Sequence, residues 1–222
     1  MKKILALTLA AAFAGAPLAA YANDAMPTGG FNSGSGNPQN NFTINTSDNL
    51  ELALSAQARF STTPAVTDNN NGTYAALPGT NKSGGGVVGA LWDFDFSVEA
   101  LNGSTFPSSL DVTITITDAN NDFSGVISPL AIGDNFKGAG NEAQNSENLD
   151  FPSIFTSTTG SFNPNEANTY FITLTATPVG GSQFSDSIAV NVVPLPSAAA
   201  MGLGMLAVVG AAGLLRKKLH IA

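Results

Sequence analysis

Leu110-Asp111-Val112-Thr113-Ile114-Thr115-Ile116-Thr117 alternates apolar and polar side chains without a break, and this period of two decides the fold. Successive side chains of a strand point to opposite faces, so Leu110, Val112, Ile114 and Ile116 make an oily face and Asp111, Thr113, Thr115 and Thr117 a wet one. The same period recurs on both sides. Leu50, Leu52, Leu54 and Ala56 alternate with Glu51, Ala53, Ser55 and Gln57, and Trp92, Phe94, Phe96 and Val98 alternate with Asp93, Asp95, Ser97 and Glu99. Downstream, Tyr170, Ile172, Leu174 and Ala176 form one such face and Ile188, Val190 and Val192 another. Weaker strand patterns run over Phe42 to Thr46, Tyr74 to Leu77 and Val126 to Ile132. Turn compositions separate the runs, among them Asp68-Asn69-Asn70-Asn71-Gly72 and Asp118-Ala119-Asn120-Asn121-Asp122.

No segment between 41 and 192 keeps a helical period for long. Strands with one apolar face must hide those faces against each other, which predicts an all-β, immunoglobulin-like β-sandwich of about seven to nine strands over residues 41–192. Trp92 shares its face with Phe94 and Phe96 and therefore reads as a core anchor rather than a sugar-stacking platform. Residues 23–40, rich in Gly, Ser, Asn and Pro, read as a flexible leader. Asp134 to Phe155 fits the strand pattern least and reads as a long polar loop crossing between the sheets.

Charge and missing residue types narrow the chemistry. Five of the eight basic residues, Lys2, Lys3, Arg216, Lys217 and Lys218, sit at the two ends. Between them lie Arg59, Lys82, Lys137 and all sixteen acids, a formal charge of −13 (3 − 16). Nucleic acid is an unsuitable partner for such a surface, because binding it requires Lys and Arg to neutralise phosphates. The chain has no cysteine, and its one histidine is His220 near the C-terminus. Disulfides, thiolate zinc sites, cysteine nucleophiles and Ser-His-Asp catalysis are thereby removed from residues 23–192. No cofactor is called for.

Three local patterns bear on site chemistry. Asp118, Asn120 and Asp122 match the first three ligand positions of a calcium loop, but Phe123 stands where that loop needs glycine and Pro129 where it needs a bidentate acid. A looser calcium site joining this loop to Asp134 competes with a plain solvated hairpin end. Asp93 and Asp95 lie about 7 Å apart on one strand face, a spacing similar to a hydrolase carboxylate pair. Acids on a wet strand face are ordinarily solvated, so they receive no role. Asn41-Phe42-Thr43, Asn71-Gly72-Thr73 and Asn102-Gly103-Ser104 are glycosylation triplets that an Asn-rich chain produces by chance.

The ends carry addresses. Lys2-Lys3, the apolar run Ile4 to Phe13 and the small residues Ala20 and Ala22 make a signal peptide over 1–22, with signal peptidase cleaving after Ala22. At the other end, the uncharged stretch 197–215 spans roughly 28 Å as a helix and fits one membrane crossing. Arg216, Lys217 and Lys218 then stay on the cytoplasmic side.

Val193-Pro194-Leu195-Pro196-Ser197, followed by that apolar segment and the basic cluster, resembles the tripartite sorting signal of the PEP-CTERM proteins, in the variant that reads V-P-L-P-[AS]. The resemblance covers residues 193–222 and implies recognition by an exosortase, a membrane-embedded cysteine protease or transpeptidase of Gram-negative, exopolysaccharide-producing bacteria. Leu219 to Ala222 extend past the basic cluster, where members of the family usually stop sooner. Ala143 to Leu149 also resembles a segment of some exported domains of this class, and names no chemistry. An ordinary unprocessed C-terminal anchor explains the helix and charges too. A sortase signal does not, since Leu195-Pro196-Ser197-Ala198-Ala199 lacks the required Thr and Gly.

The expectation is an exported, non-enzymatic protein of the envelope or cell surface of a Gram-negative bacterium, with a single-pass inner-membrane intermediate. It serves as a structural or adhesive component of the envelope or exopolysaccharide matrix. The alternative is an extracellular carbohydrate-binding module, calcium-dependent if the Asp118 loop holds the ion. A carboxylate-only hydrolase ranks last.

Overall fold

A computed structural model describes residues 25–31, 41–60, 66–82, 86–107, 109–132 and 141–194. The chain is all-β, with thirteen strands among the described residues. A four-stranded layer contains β1 (Thr43–Ser47), β2 (Leu50–Ala58), β7 (Trp92–Ala100) and β10 (Glu142–Glu147), in the order β1-β2-β7-β10. The larger, seven-stranded layer is built from β3 (Val66–Asp68), β4 (Thr73–Ala76), β8 (Asp111–Asp118), β9 (Ser124–Ile127), β11 (Ser157–Thr159), β12 (Asn168–Thr177) and β13 (Phe184–Val192), in the order β11-β9-β8-β12-β13-β4-β3. A small ribbon pairs β5 (Thr80–Lys82) with β6 (Val88–Ala90). The strand number exceeds the expected seven to nine because short edge strands such as Ser157–Thr159 carry no alternation to read.

Every strand with a strong period of two forms as expected. Ile114 and Ile116 pair with Leu174 and Ile172, which places the oily residues of β8 and β12 on one face. They meet Leu52, Leu54, Phe94 and Phe96 of the other layer in a single buried cluster, together with Ile188 and Val190. At about 25 cal/mol per Å², burial of such side chains is the main favourable term for the fold. Trp92 is 1% exposed and sits in this cluster, as its pattern predicts. The β1–β2 hairpin closes through Asp48 and Asn49, both at positive φ (51° and 61°), the conformation of a two-residue type I′ turn. The two layers are also stitched by polar groups: Thr43 Oγ1 donates to Asp186 Oδ2 (2.6 Å) and Asn45 Nδ2 to the Ser185 carbonyl (2.7 Å).

Four expectations need correction. The run Val126 to Ile132 divides into the end of β9 and a single helical turn, α1 (Pro129–Ile132). Asp134 to Phe155 is not simply a loop, since it contains β10, which pairs with β7 from Glu142↔Glu99 to Glu147↔Phe94. Glu-Ala-Gln-Asn-Ser-Glu offers no apolar alternation, yet all six residues are buried. The faces of β2 and β7 that read as solvated are buried as well. Part of the supposed flexible leader explains this: residues 25–31 lie across that face, with Phe42 N–H donating to the Ala25 carbonyl (3.2 Å) and Phe31 packed on Phe42 at 4.9 Å between ring centres. Among the described residues no helix is long and apolar enough to cross a membrane. The segment 197–215, Ala20 and Ala22 of the expected signal peptide, and Leu195, Pro196, Arg216, Lys217 and Lys218 lie outside the described residues.

Candidate functional site

The face of the four-stranded layer turned away from the core carries successive rows of polar side chains. Glu51, Glu99 and Glu142 are in register across β2, β7 and β10, followed by Ala53, Ser97 and Gln144, then Ser55, Asp95 and Ser146, then Gln57 and Asp93. All are buried. Like charges directly opposite one another repel, so the acidic row needs donors. The turn at Thr28–Gly29 supplies them: Thr28 N–H and Oγ1 both donate to the Glu51 carboxylate at 2.7 Å, and Gly29 N–H donates to Glu99 Oε2 at 2.7 Å. A Cβ at Gly29 would stand 2.8 Å from Glu99 Oε1, so a larger residue there would have to displace the Glu99 carboxylate. Gln144 Nε2 fastens the same segment by donating to the Gly30 carbonyl at 2.7 Å.

Toward the other end of this face the chemistry changes. Gln57 Nε2 donates to Asp95 Oδ1 (2.7 Å) and to Ser146 Oγ (3.0 Å), joining three strands. Asn148 Nδ2 donates to Asp93 Oδ1 (2.6 Å) and to the Ala90 and Trp92 carbonyls, while its Oδ1 accepts from Ala90 N–H. Arg59, 3% exposed, lies between the rings of Phe60 and Phe151, 4.8 and 4.7 Å from their centres. Gly89 leaves the room for it, since a Cβ there would fall 1.5 Å from Nη1.

Burial sets the protonation of these acids. It pushes the Asp95 carboxyl up to about 8, with the neighbouring Asp93 adding to the rise and the Ser146 and Gln57 hydrogen bonds opposing it. Asp93 is raised to about 6 by burial, held back by the Asn148 hydrogen bond and the Arg59 charge. Asp186, between the layers, is also raised to about 6 by burial against the Thr43 hydrogen bond. Asp93 and Asp95 are thus neither solvated nor open to a substrate, which corrects their reading as surface acids.

A second feature lies where β8 and β9 meet the segment 149–162. A groove of about 280 Å³ is lined by Phe123, Phe155 and Phe162 together with Leu149, Asp150 and Thr158. Its rings interlock: Phe123 meets Phe155 edge-on at 5.8 Å and Phe162 at 6.0 Å, and Phe162 continues inward to Trp92 (6.2 Å) and Tyr170 (5.2 Å). Gly160, at φ 74°, permits the tight wall, because a Cβ there would stand 1.8 Å from the Asp122 carbonyl oxygen.

The calcium pattern has a structural explanation. Asp118 is buried and its carboxylate accepts from Phe123 N–H (3.1 Å) and Asn168 Nδ2 (2.7 Å), closing the β8–β9 turn that Asn121 negotiates at φ 59°. Asn120 and Asp122 are exposed, and Asp134 lies outside the described residues. Among the described residues no three His, Asp or Glu side chains are grouped to hold a metal ion. Of the expected sorting motif, Val193 and Pro194 are described, both exposed, and Val193 N–H donates to the Ala76 carbonyl at 2.9 Å.

The sequence reading missed Arg59, Gln57 and Asn148 as organisers of a buried face. Arg59 offered a signal, being one of three cations in the acidic stretch 23–192 and standing directly after a strand pattern. No protein-family model, curated protein or solved structure matches this chain.

Proposed function

We propose that the chain is an exported, surface-sorted structural or adhesive protein of the bacterial envelope or exopolysaccharide matrix, processed by an exosortase near Val193–Pro196. The carrying observation is the junction. β13 ends at Val192, the motif begins at the next residue, and Val193 keeps a backbone hydrogen bond to the sheet. The body is therefore joined to the motif without an intervening linker. In its finer description the body is an immunoglobulin-like sandwich. Supporting this, β2-β7-β10 and β8-β12-β13 follow the A-B-E and C-F-G orders of the two immunoglobulin layers, and β4, one strand in from the β3 edge, joins β13 in parallel.

The reading includes signal peptidase cleavage after Ala22, a transient inner-membrane crossing by 197–215 and no catalytic role. It is tested by the intact mass of the protein isolated from the cell surface. Loss of everything after roughly Pro196, with or without an added group, supports it. Retention of Arg216 to Ala222 reduces the signal to a plain anchor.

The aromatic groove favours a second reading, an extracellular carbohydrate-binding module. Half-buried Phe155 and Phe162 beside Asp150 and Thr158 offer apolar faces with polar groups at the rim, the composition of a small-ligand site. Retention on insoluble polysaccharide that Phe155→Ser abolishes, with a raised melting temperature on adding soluble oligosaccharide, is the expected result of that reading. Addition of millimolar calcium is expected to leave the melting temperature unchanged, because the Asp118 carboxylate is already occupied by two N–H donors.

A further inference from the structure

Two buried oxygens on neighbouring side chains have no hydrogen-bond partner: Gln57 Oε1 and Asp95 Oδ2. The same two side chains already share the 2.7 Å bond from Gln57 Nε2 to Asp95 Oδ1, and both are 0% exposed. Two acceptors cannot satisfy each other, and an unsatisfied buried polar atom costs about 1–3 kcal/mol. One proton removes the conflict. A carboxylic acid and a primary amide can share two antiparallel hydrogen bonds, N–H to carbonyl oxygen and O–H to amide oxygen.

We propose that Asp95 is a neutral acid in the folded protein and that its Oδ2–H donates to Gln57 Oε1, closing a two-bond acid–amide ring that locks β2 to β7 and makes the sandwich stronger in acid than in alkali. Ser146 Oγ, accepting from Gln57 Nε2 at 3.0 Å, extends the lock to β10, while its own hydrogen bond to Asp95 favours the ionised form and is outweighed by burial. The charged and titratable groups on the same face are Asp93 and Glu99 from β7, Glu51 from β2 with Arg59 just beyond its end, and Glu142 from β10. Asp93 stands nearest along the strand, and its negative charge opposes ionisation of Asp95. Arg59 acts on Asp93 and Asp150, and Glu51 and Glu99 are held by the 28–29 turn.

The sign follows from proton counting. Asp95 has an ordinary value of 3.8 and a folded value raised to about 8, so between them the folded chain binds more protons than the unfolded one. Its contribution is fully present below about pH 4, declines as pH rises, and is lost above about 8. Asp93 and Asp186 act in the same direction but finish near pH 6.

The test is urea unfolding of the full chain in detergent micelles at pH 5, 6.5 and 8, read by the fluorescence of its single tryptophan, Trp92. The wild-type midpoint is expected to fall by about 1–2 M between pH 5 and 8. Asp95→Asn, whose amide reproduces the neutral acid, is expected to match the wild type at pH 5 and exceed it at pH 8. Gln57→Leu is expected to lower the midpoint already at pH 5, and Asp95→Asn added to it should not restore the loss. An Asp95→Asn midpoint lowered equally at all three pH values would overturn the proposal, as would a Gln57→Leu midpoint equal to wild type at pH 5. If the variants do not fold, the carbon-13 carboxyl resonance of Asp95 in the wild type decides. Titration near or above pH 7 supports the ring, and titration below pH 5 sinks it.

Discussion

Replacing Arg59 with leucine is expected to destabilise the protein by about 3–5 kcal/mol at pH 8 and by clearly less at pH 5. The guanidinium is buried between two rings and contributes the favourable charge acting on Asp93 and Asp150. At pH 8 Asp93 is ionised, since its raised value is about 6, and removing the cation leaves a buried carboxylate with only the Asn148 bond to steady it. At pH 5 Asp93 carries a proton. The loss is then chiefly that of the Phe60 and Phe151 contacts, worth roughly 1–2 kcal/mol. Urea unfolding at the two pH values measures the difference. Combining Arg59→Leu with Asp93→Asn is expected to recover most of the pH 8 loss. Equal losses at both pH values would assign the whole effect to ring stacking.

Trp92→Ala should cost about 3–5 kcal/mol, the range for emptying a large aromatic site in a packed core. Trp92→Phe should cost much less than the volume change alone suggests. The indole Nε1–H is buried without a hydrogen-bond partner, so the native residue already bears a desolvation penalty that phenylalanine lacks. The smaller ring also keeps an aromatic neighbour for Phe162 and Tyr170, now 6.2 and 5.8 Å from the indole. Thermal unfolding followed by circular dichroism compares the two variants. Equal destabilisation by both would mean that the indole N–H is hydrogen-bonded in solution.

The all-β class was legible because Leu110 to Thr117, Trp92 to Glu99 and Tyr170 to Thr177 each state which side is oily, and an oily side has one destination. What alternation cannot state is whether the other side meets water. Asp93, Asp95, Ser97 and Glu99 read as wet, yet all are buried: segment 25–31 lies across that face at the Glu99 end, and β10 flanks β7 within the layer. The covering turn, Thr-Gly-Gly, and the flanking strand, Glu-Ala-Gln-Asn-Ser-Glu, bind through polar groups rather than methyl groups and therefore leave no hydrophobic signature. The calcium pattern at Asp118 misled for a related reason: a turn needs the same acceptors that a cation does. Arg59 was visible as an isolated cation, but its seat depends on Gly89 and on rings at positions 60 and 151, a distance in sequence that no local pattern spans.

The placement of β13 has a mechanical consequence. It runs between β12, with nine paired positions, and β4, with four, and it leads straight into Pro194. A pull applied at the C-terminal end of β13 along the strand axis loads both ladders in shear, so their hydrogen bonds must yield together. Had the exit strand lain at a sheet margin and been drawn sideways, they would unzip one by one. Under the proposed C-terminal attachment, force on the body would thus be borne by the interior of the larger sheet.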